Sequence, residues 1–352
     1  MEQLKLLIDR YKHLRSKRLL QQSGTKKYAF VGIGSHSTSN LYPVLNYLHV
    51  PLKRICCRSA DKKPLIESAF PGVMATISLH DITSDDEISG VFVCVSPKAH
   101  FSIAHEIIKS GKSLFIEKPP CQSQAELARL IAARKASGLP LVAVGLQKRC
   151  APAMQILKKE LAKCGNHPVT YNMKYLTGAY PEGDALHDLY IHPLDCVTFL
   201  FGKAEVKCLE CVNGHTLMLI LKHQNATGVI ELSTEYSWST ATEALTVNTS
   251  KGTYDMAQME HLTFRSKRQT LMGVPLEKVF PRPNVTIDLF SRNNFAPIVQ
   301  NNQIFTQGYF NEIKNFVDAV EGRSNKACYQ SLESVVDTYS LLDTISALTH
   351  KP

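Results

Sequence analysis

The 352-residue chain contains no apolar run near the ~18 residues that a membrane-spanning helix requires, no internal repeat and no low-complexity tract. Those absences exclude a transmembrane helix and a repeat array. A secretory signal is also missing. The basic start "MEQLKLLIDRYKHLRSKRLLQQSGTKK" holds an "SKRLLQQ" that hints at a twin-arginine signal, but no apolar core or small-residue cleavage site follows it. The cytoplasm is therefore the expected address, and the ten cysteines are expected to be reduced thiols. The one C-x-x-C, Cys208 to Cys211, has no second pair and lies in an alternating strand pattern, so it reads as two strand cysteines rather than a zinc site. Net charge is +9, yet the basic residues form no stripe and aromatics are not interleaved with them. An anionic ligand fits that balance; a nucleic acid does not.

What is present is the composition of a folded protein with a full core, 44% hydrophobic and 20% charged, at a length that suggests two domains. Leu4, Leu7, Ile8, Tyr11 and Leu14 fall at helical spacing, which predicts an amphipathic helix over residues 1–25 laid against the protein body. Residues 26–148 then alternate near-continuous apolar strands with helical patterns. "KYAFV", "LKRICC", "VFVCV", "SLFIE" and "LVAVG" are the strands; "AHFSIAHEIIKSG" and "SQAELARLIAARKASG" are among the helices. That alternation predicts an α/β Rossmann-type doubly wound parallel sheet. Residues 149–352 change texture. Segments such as "HTLMLILKHQ" and "TGVIELSTEYS" are joined by short turns, predicting an α+β domain with a large, mostly antiparallel, open-faced sheet and two closing helices. Pro281 to Gln307, rich in Asn, Pro and Phe without a clean period, reads as a loop over substrate or against a neighbour.

The first strand runs into Gly32-Ile33-Gly34-Ser35-His36, a G-x-G-x-x-S with Ser37 in the place of a third glycine. Strand before and helix after favour a dinucleotide-binding turn, where bare backbone meets the pyrophosphate, over an ordinary strand-to-helix turn. An acid at the end of the second strand would hold the ribose hydroxyl of NAD. Here stand Cys57-Arg58-Ser59, with no acid before Asp61. Two readings remain open: Arg58 pairs with a 2′-phosphate, or Arg58 is solvated and the cofactor is NAD. The first is favoured, so the cofactor expected is NADP over NAD.

"GIGSHS", "VCVSPKAH", "GKSLFIEKPP", "LVAVGLQKR" and "GDALHDLYIHPLD" occur in the order seen in the Gfo/Idh/MocA oxidoreductases, and the chain resembles that family from about Tyr28 onward. The resemblance implies a lysine, Lys118, held at a strand end by Pro119, with a cis bond before that proline, pointing beside the nicotinamide. Its ammonium would stabilise alkoxide character on a substrate oxygen. Glu117 would orient neighbouring groups or cofactor. In the second motif Asp188 and His192 are four apart, hence on one helix face. By similarity His192 is the general base or acid, suited to proton transfer near neutral pH, and Asp188 binds and orients substrate. Asp195, one turn on, would hold the imidazole or cap a contact. The family pattern places Ser96, Pro97 and His100 near the nicotinamide half of the cofactor and Gln147 and Arg149 near cofactor and substrate. Arg149 reads equally as a structural ion-pair partner. Tyr175 and Tyr180 line the substrate pocket in this reading. His187 invites pairing with His192 as a metal site, but a spacing of five does not share a helix face, and no metal is expected.

The implied activity is hydride transfer between a nicotinamide and a hydroxyl or ketone carbon of a sugar, cyclitol or related substrate. Two alternatives accompany it: a glycoside hydrolase that uses the cofactor transiently, and a catalytically silent dinucleotide-binding regulator. A homodimer or homotetramer through the second-domain sheet is the expected assembly, as in relatives.

Overall fold

The spacing of Leu4, Leu7, Ile8, Tyr11 and Leu14 does form a helix, α1 (Glu2–Leu20), but not one laid against the body. Leu4 is 63% exposed and Tyr11 66%, and every side chain described from Met1 to Leu14 faces solvent. Leu6 lies off the stripe, and Lys5, Arg10 and Lys12 crowd its edges. The apolar strip is too narrow to form the wide face that docking on a core requires.

The computed structural model describes residues 1–20 (backbone alone at 15–20), 24–138, 140–165, 167–181, 183–281, 285–292, 303–323 and 330–349. The chain forms two compact units that do not follow it linearly. Met1–Ile116, Ala133–Ala143 and Ile313–Tyr329 make the first; Glu117–Ala132, Val144–Glu312 and Gln330–Pro352 make the second. Among the described residues no helix is long and apolar enough to cross a membrane.

The predicted alternation is observed: β1 (Lys27–Val31), α2 (Tyr42–Tyr47), β2 (Leu52–Cys56), α3 (Lys63–Ala69), β3 (Met74–Thr76), α4 (His80–Thr83), β4 (Ile88–Val93), α5 (Pro97–Lys109), β5 (Ser113–Glu117), α6 (Gln124–Ala136) and β6 (Val142–Gly145). The six strands form one sheet in the order β3-β2-β1-β4-β5-β6, with parallel pairing from β3 to β5. This is the doubly wound order, whose ligand crevice lies at the strands' carboxyl ends. Burial on both faces explains the unbroken apolar runs: Tyr28, Ala29 and Phe30, and Val91, Phe92 and Val93, are inaccessible to solvent. The Phe92 ring lies 5.3–6.0 Å from the rings of Tyr28, Phe30, Phe115 and Phe316. Aromatic packing at such spacings adds to plain area burial.

The rest of the chain supplies α7 (Pro152–Ala162), β7 (Val169–Gly178), α8 (Ala185–Asp188), α9 (Ile191–Phe201), β8 (Glu205–Val212), β9 (Thr216–Lys222), β10 (Ala226–Tyr236), β11 (Thr242–Thr249), β12 (Gly252–Ala257), β13 (His261–Ser266), the two-residue strands β14 (Thr270–Leu271) and β15 (Val274–Pro275), and β16 (Thr286–Ser291). Helices Tyr309–Val320 and Val336–Thr349 follow. Eight strands form a sheet ordered β16-β13-β12-β11-β7-β10-β9-β8, antiparallel except at β7 with β10. On β9, Leu217, Leu219 and Leu221 are buried, while Met218 and Ile220 stand about two-fifths exposed, so the sheet has one covered and one open face. Cys208 and Cys211 lie exposed on β8, as strand residues.

The loop expected from Pro281 to Gln307 is corrected in part. Thr286–Ser291 is an edge strand paired antiparallel with β13, and Gln303–Thr306 is a helical turn. The run Val285, Ile287 and Leu289 has the period-2 alternation of a strand, which the surrounding Asn and Pro obscure. Residues 282–284 and 293–302 of that segment lie outside the described residues.

Candidate active site

β1 delivers the chain to Gly32 with φ +106°, and a Cβ there would meet the Cys94 carbonyl oxygen at 2.0 Å, so only glycine fits. At Gly34 a Cβ would meet nothing within 4 Å. Its backbone opens onto free space, the cradle a pyrophosphate needs. Ser37 is buried, its hydroxyl accepting the Gly34 N–H at 2.9 Å and donating to the Gly34 carbonyl at 3.0 Å. In place of a third glycine, this serine braces the turn from below. Ile33 is half-buried; Ser35 and His36 are exposed, with His36 Nδ1 3.2 Å from the Asn40 amide. The residues present fit a dinucleotide. Arg58 and Ser59 follow β2, Arg58 exposed and Ser59 half-buried. Ser96 is the extended residue before α5, and Pro97 is the first residue of that helix. His100 is buried and accepts the Val95 N–H on Nε2 at 3.4 Å, so it fixes the loop after β4.

Beyond β5 the chain enters the second unit, which contains Lys118, Tyr180, Asp188 and His192. The Lys118–Pro119 bond is cis, as the motif implied. The Lys118 ammonium donates to the main-chain carbonyl of Asp188 at 2.6 Å. The Tyr180 hydroxyl donates to Asp188 Oδ2 at 3.4 Å. Lys118, Tyr180 and Asp188 therefore converge. Glu117 is buried, and its Oε2 accepts the Lys118 N–H at 3.3 Å. Asp188 and His192 do not share one continuous helix: α8 ends at Asp188, α9 begins at Ile191, and the His192 N–H returns to the Leu189 carbonyl at 3.2 Å. Asp184 caps the start of α8, accepting the Leu186 N–H at 2.9 Å. Both Asp188 and His192 are buried polar residues.

The Asp195 carboxylate is taken by Arg149, Nε to Oδ2 at 2.7 Å and Nη2 to Oδ1, and by the Thr338 hydroxyl at 2.9 Å. Of the two readings of Arg149, the ion pair is the one seen: the residue is buried, with further bonds to Ser334. The fork of a guanidinium fits a carboxylate bidentately. The whole turn Gln147–Cys150 is buried and tied. Gln147 donates to the Tyr309 hydroxyl at 3.2 Å, Lys148 to Glu243 at 2.5 Å, and Cys150 Sγ accepts from Gln330 at 2.8 Å. Tyr175 is half-buried with its ring 4.8 Å from the Lys148 ammonium, so it faces this ion pair. Burial alone would lower the Lys148 pKa, but Glu243 more than offsets it and the ammonium is held charged. Burial raises the Cys196 thiol well above its ordinary value, leaving it unreactive.

His187 is bonded through Nδ1 to Asp184 Oδ2 at 2.6 Å, away from any pairing with His192. That bond raises the imidazole pKa despite burial and lowers the carboxylate's. Two buried acids escaped the sequence reading: Glu243 on β11 and Glu312 on helix Tyr309–Val320. The available signal was position. Glu312 occupies the buried stripe of Ile313, Phe316, Val317 and Val320, where a carboxylate is out of place.

Residues 26–146 match the Gfo/Idh/MocA profile, described as an oxidoreductase family with an NAD-binding Rossmann fold. An inositol 2-dehydrogenase from Salmonella paratyphi B is 25% identical over 191 residues, 51% of this chain and 55% of that protein. The chain thus spans about half the length of the curated relatives it matches. Two solved structures share the fold. A dehydrogenase from Chromobacterium violaceum superposes with TM-score 0.76 at 15% identity, covering 92% of this chain and 95% of that one. An oxidoreductase from Agrobacterium radiobacter in complex with NAD+, L-tartaric acid and magnesium gives 0.73 at 16% identity, covering 93% and 97%.

Proposed function

We propose, from the match of residues 26–146 to the Gfo/Idh/MocA oxidoreductases, that this chain interconverts a secondary alcohol and a ketone on a polyhydroxylated substrate, a cyclitol or sugar. The observation that carries the reading is the convergence of Lys118, Asp188 and Tyr180 at the end of β5. A lysine bonded to a main-chain carbonyl can pass that hydrogen bond to a substrate oxygen. The relatives named inositol 2-dehydrogenase support a cyclitol.

Gly32, Gly34 and the loop at Ser96 would hold the dinucleotide, and Arg58 would face a 2′-phosphate. When bound, the nicotinamide supplies the two-electron acceptor or donor for a hydride. The chain's residues do the rest. Lys118 donates a hydrogen bond to the substrate oxygen and stabilises its alkoxide character as the carbon loses hydride. His192 accepts the hydroxyl proton in the oxidative direction and returns it in the reductive one. Asp188 and Tyr180 orient the neighbouring hydroxyls. The exposed apolar residues Met218, Ile220 and Val229 on the open sheet face support a homodimer through that face.

The test is a titration of the purified chain with NAD and NADP, followed by cyclitols, sugars and nucleotide sugars, reading the near-ultraviolet absorbance of the reduced nicotinamide. At least one polyol is expected to change it. Tight cofactor binding with no change for any polyol would favour the silent regulator. Arg58→Ala should weaken NADP about tenfold while moving NAD less than about threefold; a wild-type preference for NAD removes the role given to Arg58.

A further inference from the structure

Glu312 is a carboxyl group in the wrong place. It is 1% exposed, and neither of its side-chain oxygens has a hydrogen-bond partner. The Leu146 N–H lies close enough to act on Glu312 and pulls its pKa down, though that N–H also donates to the Val144 carbonyl at 2.8 Å. Burying a bare carboxylate costs far more than burying the neutral acid. The charges that reach it come from three elements: Glu117 at the end of β5, Asp195 on α9 and Arg149 in the turn between β6 and α7. Arg149 is taken by Asp195, so it gives Glu312 little relief. Burial first, and the Glu117 charge second, hold its proton on well above the ordinary carboxyl range. Glu117 is itself buried, packed where a Cβ on Gly145 would stand 3.0 Å from its carboxyl, and it holds the Lys118 N–H.

We propose that Glu312 rests as the neutral acid behind Glu117 and is thereby a positioning residue for Lys118, whose main-chain N–H Glu117 holds. The positioning role rests on the reading of Lys118 as catalytic; the protonated state does not.

Two measurements separate them. Infrared spectroscopy of the wild-type chain at neutral pH should show a carboxylic-acid carbonyl band that Glu312→Gln removes. The wild-type band alone decides the matter if the variant does not fold, since absence of the band at neutral pH ends the proposal. The linkage sign gives a second check. An acid whose folded pKa is raised contributes stability below its unfolded value and loses it as pH rises toward the folded value. The melting temperature of Glu312→Gln should therefore gain on wild type by about 3 °C per pH unit above about pH 5; parallel curves would overturn the assignment. With a working substrate, the alkaline limb of kcat should move in Glu312→Gln. A limb that stays put ends the positioning role, whereas a band that persists without turnover on any substrate sinks the oxidoreductase reading instead.

Discussion

Lys118 and Lys148 stand in one unit of the same chain and are bound in opposite ways. The Lys118 ammonium, half-buried, donates to a neutral carbonyl at 2.6 Å. The Lys148 ammonium, 6% exposed, is clamped by a carboxylate at 2.5 Å and sits over a tyrosine ring. Removing one member of a buried ion pair strands the other. The second lysine is thus fitted for structure, whereas the first meets main chain with its ammonium, though both follow strands of the same sheet.

Breaking the second should have the larger effect. Lys148→Met leaves Glu243 buried and unpaired, at a cost of about 3–5 kcal/mol of stability, read by denaturant unfolding. Lys148→Met with Glu243→Leu should recover most of that loss, because two apolar side chains can fill the space of a buried pair. A single variant that unfolds like wild type would show that water reaches the pair. Lys118→Met should do the reverse: about 10² to 10³ off kcat, with stability and cofactor affinity nearly unchanged. Equal losses of stability in the two variants would erase the distinction.

The difference between these lysines was half legible in the sequence. Lys118 announced itself through an apolar strand broken by E-K-P-P, and the parallel sheet follows from near-continuous apolar strands between helices. Lys148 carried no signal, since its partner lies 95 residues away on β11 and no local pattern encodes that pairing. The same holds for Arg149 and Asp195, 46 residues apart. Periodicity also misled where it was read without the partner surface. α1 has apolar spacing but no face to meet, and the four-residue interval from Asp188 to His192 straddles a break between α8 and α9. Local pattern reports the element; which charges meet is decided by the tertiary arrangement.

A third pair, at the rim, sharpens the comparison with the smallest effect. Asp184 is 56% exposed in its side chain and bonds His187 at 2.6 Å. Solvent screening keeps such a pair below about 1 kcal/mol. The signs of the two shifts bound its window. The His187 pKa is raised, so its contribution is complete below the imidazole's unfolded value and fades as pH climbs through the folded one. The Asp184 pKa is lowered, so its contribution is complete above the ordinary carboxyl value and fades as pH falls through the folded one. Asp184→Asn keeps a side chain able to cap α8 while removing the charge. Its melting temperature should fall below wild type by about a degree or two near pH 5.5, where both partners are charged, and by less at about pH 8.5. A deficit that grows with pH would mean that His187 stays neutral and that Asp184 acts through the cap alone.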